Sequence, residues 1–267
     1  MFFNFHKNDL EINYFLYEIV HHCNLNCKGC DHCAPLAKKE LVPVEVFERD
    51  ILQMKKVFNK IKSIGIMGGE PLLHPQLPQI LNLSRKILKN SNILLFSNGI
   101  LFEQANDTLW ESIKDNKIIL LITKYTNDSV YDLIEKKSKL YSVNLQYMDG
   151  TRLKFKKFNS MKYNLHSDED INKAHSACYH AEHCHQLENG KLYKCSFICA
   201  ARHFNQYFGK NLIIEPDDYI DIFKNPKKKD IIDYFNSPIP FCRYCNINAR
   251  ANQIEWGLSQ RDISEWT

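Results

Sequence analysis

Four cysteines fall within eleven residues in the segment HHCNLNCKGCDHCAP. Cys23, Cys27 and Cys30 make a Cys-x3-Cys-x2-Cys run directly after Asn13–Val20, a stretch rich in aromatic and β-branched residues that predicts a strand. In a parallel α/β sheet, ligands bind at the carboxyl ends of strands, where a loop can fold its thiolates around one metal centre. Three thiolates leave one iron of a four-iron cluster open, whereas an electron carrier normally supplies four. An open iron accepts a chelating substrate or cofactor. Three other readings compete, the first of them buried structural cysteines, which four within eleven residues argue against. Cys23, Cys27, Cys30 and Cys33 would make a tetrahedral zinc set, and Cys27-x2-Cys30-x2-Cys33 matches part of a bacterial ferredoxin run. A ferredoxin does not need the long strand–helix alternation that follows, so Cys33 is read as lying outside the ligand set.

The other six cysteines, Cys178, Cys184, Cys195, Cys199, Cys242 and Cys245, all lie in the last third. Asn189-Gly190 is a strong two-residue hairpin signal. Such a turn places Cys184 directly across from Cys195, with Cβ atoms about 4.5–5.5 Å apart. Cys242-x2-Cys245 suits zinc and iron–sulfur equally well. The surplus thiols are read as inert core residues, or one as a hydrogen-atom donor. His175, His180, His183 and His185 flank this region and are read as exposed hairpin residues.

These groups need a frame, and the hydrophobic pattern supplies one. After the cysteine loop, Pro43 precedes a helical period over Val44–Lys60. Apolar strands follow at Ser63–Met67, Asn92–Phe96, Ile118–Thr123 and Val143–Met148. Helices are expected at Pro75–Lys89, Glu103–Lys114 and Asp128–Leu140. A sixth strand is expected within Leu153–Asn159. Alternation of this kind predicts a parallel sheet with helices outside it. The expected fold is α/β, a partial (β/α)6-type open barrel with a small C-terminal cysteine-rich module. The division falls near residue 160: 1–160 as the barrel core, 161–267 as linker and second module. A helix-prone stretch, Lys227–Phe235, precedes the last cysteine pair. Glu18 on the first strand faces either the barrel interior or solvent. Trp256 and Trp266 flank a polar tail read as a segment docked on the barrel.

The net charge of +4 is small and its basic residues are scattered, which argues against a nucleic-acid partner. No apolar run approaches the ~20 residues of a membrane span, and the first residues lack the apolar core of an export signal. A cytoplasmic, reducing environment is expected, in which clustered cysteines bind metal rather than pair.

With its strand–loop context, the Cys23–Cys30 run resembles the hallmark of the radical S-adenosylmethionine (SAM) superfamily. The family's second motif, GGEP, stands here as Gly68-Gly69-Glu70-Pro71 after the second strand. The resemblance covers about residues 13–150. It implies a [4Fe–4S] cluster on Cys23, Cys27 and Cys30, and SAM held by Gly68, Gly69 and Glu70 at its amino group. Ser97-Asn98-Gly99, ending the third strand, resembles the family's TNG-like segment, and Thr123 and Lys124 end the fourth, where relatives contact the ribose and carboxylate of SAM. One departure is Gly29, where the family often has an aromatic residue beside the adenine; His32 is the nearest substitute, although it reads equally as a plain loop residue. The last third resembles a shortened SPASM, or twitch, module, whose spacing nominates Cys178, Cys195, Cys242 and Cys245 for an auxiliary [4Fe–4S] cluster. Cys184 stays open as the competitor of Cys178, and zinc as the competitor of iron.

The resemblance implies reductive cleavage of SAM to a 5′-deoxyadenosyl radical that abstracts hydrogen from substrate, with a one-electron donor such as flavodoxin or ferredoxin. Related enzymes act on sugar-type metabolites and on ribosomal peptides. A small polar, sugar-like substrate is expected, with epimerisation, dehydrogenation or dehydration as outcomes. About a dozen residues precede the first strand, too few for the leader-binding domain of many peptide modifiers. Peptide modification is the first alternative, and a non-enzymatic electron carrier the second.

Overall fold

The computed structural model describes residues 10–126, 128–148, 150, 157–159, 161–176 and 178–267. Five strands, β1 (Phe15–Val20), β2 (Ser63–Gly68), β3 (Asn92–Ser97), β4 (Ile119–Ile122) and β5 (Asn144–Tyr147), lie side by side and parallel. Helices α1 (Val44–Val57), α2 (Leu77–Ile87), α3 (Asp107–Asp115) and α4 (Asp128–Tyr141) connect them. Every residue of β1 is buried, as a strand covered on both faces requires. Helix α1 turns Val44, Phe47, Ile51 and Met54 to the core, one stripe at helical spacing.

Local chemistry moves several element ends from their expected positions. The helix expected from Glu103 starts at Asp107, because the Asn106 side chain accepts from Leu109 N at 3.1 Å and caps it there. Residues Ile100–Gln104 form a separate 3-10 turn. Helix α1 stops at Val57, since Phe58 turns extended and starts the run into the next strand.

The sixth strand is not where the pattern placed it. The described part of that stretch, β6 (Lys157–Asn159), pairs antiparallel with a C-terminal strand, Gln253–Glu255, in a small two-stranded sheet; residues 151–156 lie outside the described residues. The sixth parallel strand is β7 (Gln186–Glu188), which joins the opposite edge by pairing with β1 through Leu16↔Gln186 and Tyr17↔Leu187. It turns at Asn189-Gly190, with φ of +45° and +75°, into antiparallel β8 (Lys191–Tyr193), the left-handed pair that an Asn-Gly turn predicts. Strand β9 (Tyr219–Asp221) adds outside β8, so one eight-stranded sheet runs through both halves of the chain.

Beyond the sheet lie α5 (Ile171–Ser176), α6 (Tyr179–His183), α7 (Ser196–Phe208), α8 (Lys228–Asn236) and β10, the strand Gln253–Glu255. Two apolar cores result. One fills the barrel and takes in Leu187 and Leu192 of the hairpin. The other gathers Tyr163, Phe197, Phe204, Phe241 and Trp266 around the C-terminal cysteines, and reaches back to Cys33 and Leu36. Among the described residues, no helix is long and apolar enough to cross a membrane.

Asp50 fastens the hairpin to the barrel. Its buried carboxylate accepts from Tyr17 Oη at 3.0 Å and from Gly190 N at 3.0 Å, and pairs with Arg49 at 2.7 Å. Arg49 also donates to Asn189 Oδ1 at 2.7 Å. Removing this acceptor leaves two buried donors unsatisfied. Asp50→Ala is expected to cost about 3 kcal/mol, read as a lower denaturant midpoint for the metal-free chain; an unchanged midpoint would show that the hairpin is held otherwise.

Candidate active site

A cavity of about 310 Å³ opens at the carboxyl ends of β1 to β4. The loop after β1 brings Cys23, Cys27 and Cys30 to it. Gly68 and Gly69 come from the end of β2, Ser97 and Asn98 from β3, and Thr123 from β4. This is the strand-end placement that ligand sites of parallel sheets adopt.

The sulfurs already receive donors. Cys23 Sγ accepts from Leu25 N at 3.3 Å and from Asn98 Nδ2 at 3.7 Å. Cys27 Sγ accepts from Trp256 Nε1 at 3.2 Å. Burial pushes the Cys23 thiol up to about 12, and raises those of Cys27 and Cys30. Metal binding displaces such protons, because a thiolate is the ligand. Among the described residues, no three His, Cys, Asp or Glu side chains converge as a single ion would require. A cubane spreads its thiolates over separate iron corners and makes no such demand. Three cavity-facing sulfurs with N–H donors therefore fit a cluster bound through three corners. Cys33 does not line the cavity; it is fully buried in the second core, beside Tyr163.

The two glycines have a structural reason that the motif alone does not disclose. A Cβ on Gly68 would lie 2.1 Å from Val20 O, and one on Gly69 2.1 Å from His22 O. Gly69 N donates to Val20 O at 2.7 Å and Glu70 N to His22 O at 3.1 Å. The turn after β2 is thus stitched to the backbone that carries Cys23. Glu70 is fully buried and lies behind the cavity wall. Its carboxylate accepts from Leu72 N at 3.1 Å, Ser97 Oγ at 2.8 Å and Asn98 N at 2.9 Å. Burial raises it to about 7 against those donors. Lys124 also leaves the cavity: its ammonium pairs with Asp128 and lies 5.5 Å from the Tyr131 ring centre. The side chain alternates away from Thr123 and Tyr125, which both face in.

The cavity lining is polar as well as thiol-bearing. Asp31 and His32 belong to it. Glu18 faces inward and is buried, with His32 Nδ1 at 2.5 Å and His21 Nδ1 at 3.3 Å. Burial pushes the Glu18 carboxyl up, but the two facing histidines outweigh it and hold it below the ordinary range. His21 Nε2 lies 2.8 Å from Arg202, which pairs with Glu188 at 2.6 Å. Strand β1, β7 and α7 thus share one chain of charges. Trp256, expected only to dock the tail, lines the cavity with its ring 5.6 Å from that of Tyr125. Trp266 is the docking residue, buried and donating to Cys30 O at 2.9 Å. Tyr125 was within reach of the strand-end rule. Trp256 was not, because 229 residues separate it from Cys27.

The C-terminal thiols gather in the second core. Cys178, Cys195, Cys242 and Cys245 are buried, while Cys184 is half-buried. Burial pushes the Cys195 thiol well up, and the facing sulfurs of Cys178, Cys245 and Cys184 act the same way. Cys199 faces Glu188 and Glu18 as well as Cys195. Of the nearby histidines, His185 is buried rather than exposed. It precedes β7 where that strand joins β1, and its Nδ1 lies 2.8 Å from Lys194 O.

A parallel partial barrel whose strand ends open on three thiolates, braced by a glycine pair, defines an enzyme domain built around a cluster and a small cofactor. The chain belongs to the Radical SAM superfamily, whose family model matches residues 17–165, more than half of it. That membership implies a [4Fe–4S] cluster and SAM. Relatives include a GTP 3′,8-cyclase of Chlorobaculum tepidum, 26% identical over 48% of this chain and 39% of that one. A probable GTP 3′,8-cyclase of Methanococcus aeolicus is 36% identical over 42% and 38%. A PqqA peptide cyclase of Streptomyces rochei is 27% identical over 34% and 25%. The chain thus spans about two fifths of the length of the first two. Among solved structures, BtrN in complex with AdoMet and 2-DOIA matches with a TM-score of 0.51 at 15% identity, over 86% of this chain and 83% of that one. At that identity the likeness is one of fold.

Gly69→Ala should push the cysteine loop out of place, since backbone cannot yield as a side-chain tip does. The expected result is loss of the iron bound through Cys23, Cys27 and Cys30, with a lower thermal midpoint. Full iron content with unchanged SAM cleavage would refute the bracing role.

Proposed function

We propose that this chain binds SAM against a [4Fe–4S] cluster held by Cys23, Cys27 and Cys30, and uses it to abstract hydrogen from a small polar, sugar-like substrate. The observation that carries this reading is one cavity at the strand ends lined by the three cysteines together with polar groups that include Asp31 and His32. A cluster held by Cys23, Cys27 and Cys30, loaded with an electron from the donor, would supply one-electron reduction of SAM at its S–C5′ bond, the chemistry that opens an unactivated C–H bond to attack.

The chain's own residues do the positioning. Gly68 and Gly69 offer backbone to the amino group of SAM, and Ser97, Asn98 and Thr123 offer polar contacts along its length. Glu70 acts from behind, by holding Ser97 and Asn98 in place. Tyr125 and Trp256 provide aromatic surface that takes the role left vacant at Gly29. Lys124 contributes through the Asp128 pair that anchors the start of α4 rather than by contact with SAM.

The polar lining supports a hydroxyl- or amine-bearing molecule. Glu18 fixes the orientation of His32 through Nδ1, which leaves Nε2 to a ligand in the cavity. The described lining contains no Lys or Arg. The product is epimerised, dehydrogenated or dehydrated according to the fate of the substrate radical. Cys178, Cys195, Cys242 and Cys245 are proposed to hold a second cluster, and flavodoxin or ferredoxin to supply electrons in the cytoplasm.

Anaerobic incubation of the reconstituted protein with SAM and dithionite should release 5′-deoxyadenosine. Cys27→Ala should abolish that release while keeping the iron of the second site, and Cys242→Ala should lower iron towards a single cluster. No 5′-deoxyadenosine from protein with verified iron would favour an electron carrier. Zinc lost with Cys242→Ala, at unchanged iron, would make the second site structural. Deuterium transfer into 5′-deoxyadenosine from perdeuterated sugars, and none from peptides, supports the substrate class; the reverse would replace it.

A further inference from the structure

The C-terminal segment meets the cysteine loop residue by residue. Lys28 N donates to Gly257 O at 2.8 Å, and Cys27 and Leu258 form an antiparallel bridge. Asn26 and Ser259 exchange two bonds, from Asn26 Nδ2 to Ser259 O at 3.1 Å and from Ser259 N to Asn26 O at 2.7 Å. The Glu265 carboxylate is buried; it accepts from Gly29 N at 3.4 Å and from Gln260 N at 2.7 Å. Trp266 Nε1 donates to Cys30 O at 2.9 Å. Every residue from Asn26 to Cys30 is therefore held by the far end of the chain. These bonds satisfy backbone groups and fix the course of the loop.

One further contact reaches a sulfur. Trp256 Nε1 donates to Cys27 Sγ at 3.2 Å. The same ring lines the cavity and lies 5.6 Å from the ring of Tyr125, another lining residue. Its position follows from strand β10, which ends at Glu255 and pairs with β6. An indole N–H is a donor only, so it serves whatever negative charge grows on that sulfur. Hydrogen bonds to the sulfurs of a cluster stabilise its reduced, more negative state and so raise its reduction potential. We propose that Trp256 sets the potential of the centre on Cys23, Cys27 and Cys30 through the Cys27 sulfur, and that the C-terminal segment is thereby part of the redox site. This rests on the reading of that site given above and adds to it a residue that no motif marks. Trp256 is a positioning residue towards the cluster, acting through a ligand, in addition to the aromatic surface it turns to the cavity.

The test uses the full chain, reconstituted anaerobically with iron and sulfide. Midpoint potentials are measured by redox titration with electron paramagnetic resonance, and the signal that changes on adding SAM is taken as the first centre. Trp256→Phe keeps an aromatic ring and removes the donor. Replacement of Trp256 by benzothienylalanine puts sulfur in place of the indole N–H at nearly the same shape. Both should keep the iron and move the midpoint to more negative values. Loss of packing would admit water, which also favours the more negative state, and would move the midpoint the other way. An unchanged or more positive midpoint in both variants, with iron retained, overturns the tuning role while the cluster stands. Loss of the iron in both would show that Trp256 only holds the loop, and overturns it too. If the reconstituted parent gives no signal that responds to SAM, the reading of the site itself fails and takes the inference with it.

Discussion

The constraint on which the rest depends is a backbone-to-backbone contact. The turn after the second strand packs so closely on Val20 and His22 that no side-chain carbon fits at Gly68 or Gly69. Two hydrogen bonds close the contact, and the next residue, Glu70, carries it onward to Ser97 and Asn98. Asn98 returns to Cys23 through its amide. Three strand ends are therefore laced into one rim, and the loop of thiols is part of that rim. The glycine pair thus serves the cysteine loop through its lack of Cβ, which holds Cys23 in register with the second strand.

The second half of the chain completes the barrel instead of hanging from it. Strand β7 pairs with β1, so the edge that would otherwise stand open beside the cysteine loop is covered. The same union brings polar groups of both halves together. Glu18 and the histidines of the first half meet Arg202 and Glu188 of the second. Members of such a network strengthen one another, so the cysteine-loop side of the barrel and the second half of the chain are energetically coupled. Trp256 and Trp266 extend the principle: the tail donates one indole N–H to Cys27 and another to the carbonyl of Cys30.

Buried charge is handled differently on the two sides of the molecule. Around Glu18, carboxylate and histidines offset one another within the protein. Around Lys194, burial lowers the ammonium to about 8, and its side-chain contacts are the Ser237 carbonyl, His175 and the Tyr234 ring.

Much of this was legible in the sequence. The alternation of apolar strands with amphipathic helices determined a parallel sheet, because burial on both faces forces that pattern. The Cys23–Cys30 spacing at a strand end and the Asn189-Gly190 turn were equally local signals, set by covalent spacing and by backbone dihedral preference. What the tertiary structure alone decided is where distant segments meet. That the sixth parallel strand comes from Gln186–Glu188, that Trp256 reaches Cys27, that Glu70 turns behind the cavity and Lys124 away from it, and that Lys194 is buried all depend on long-range packing. Periodicity reports which face of an element is buried; it carries no information about which remote residue buries it.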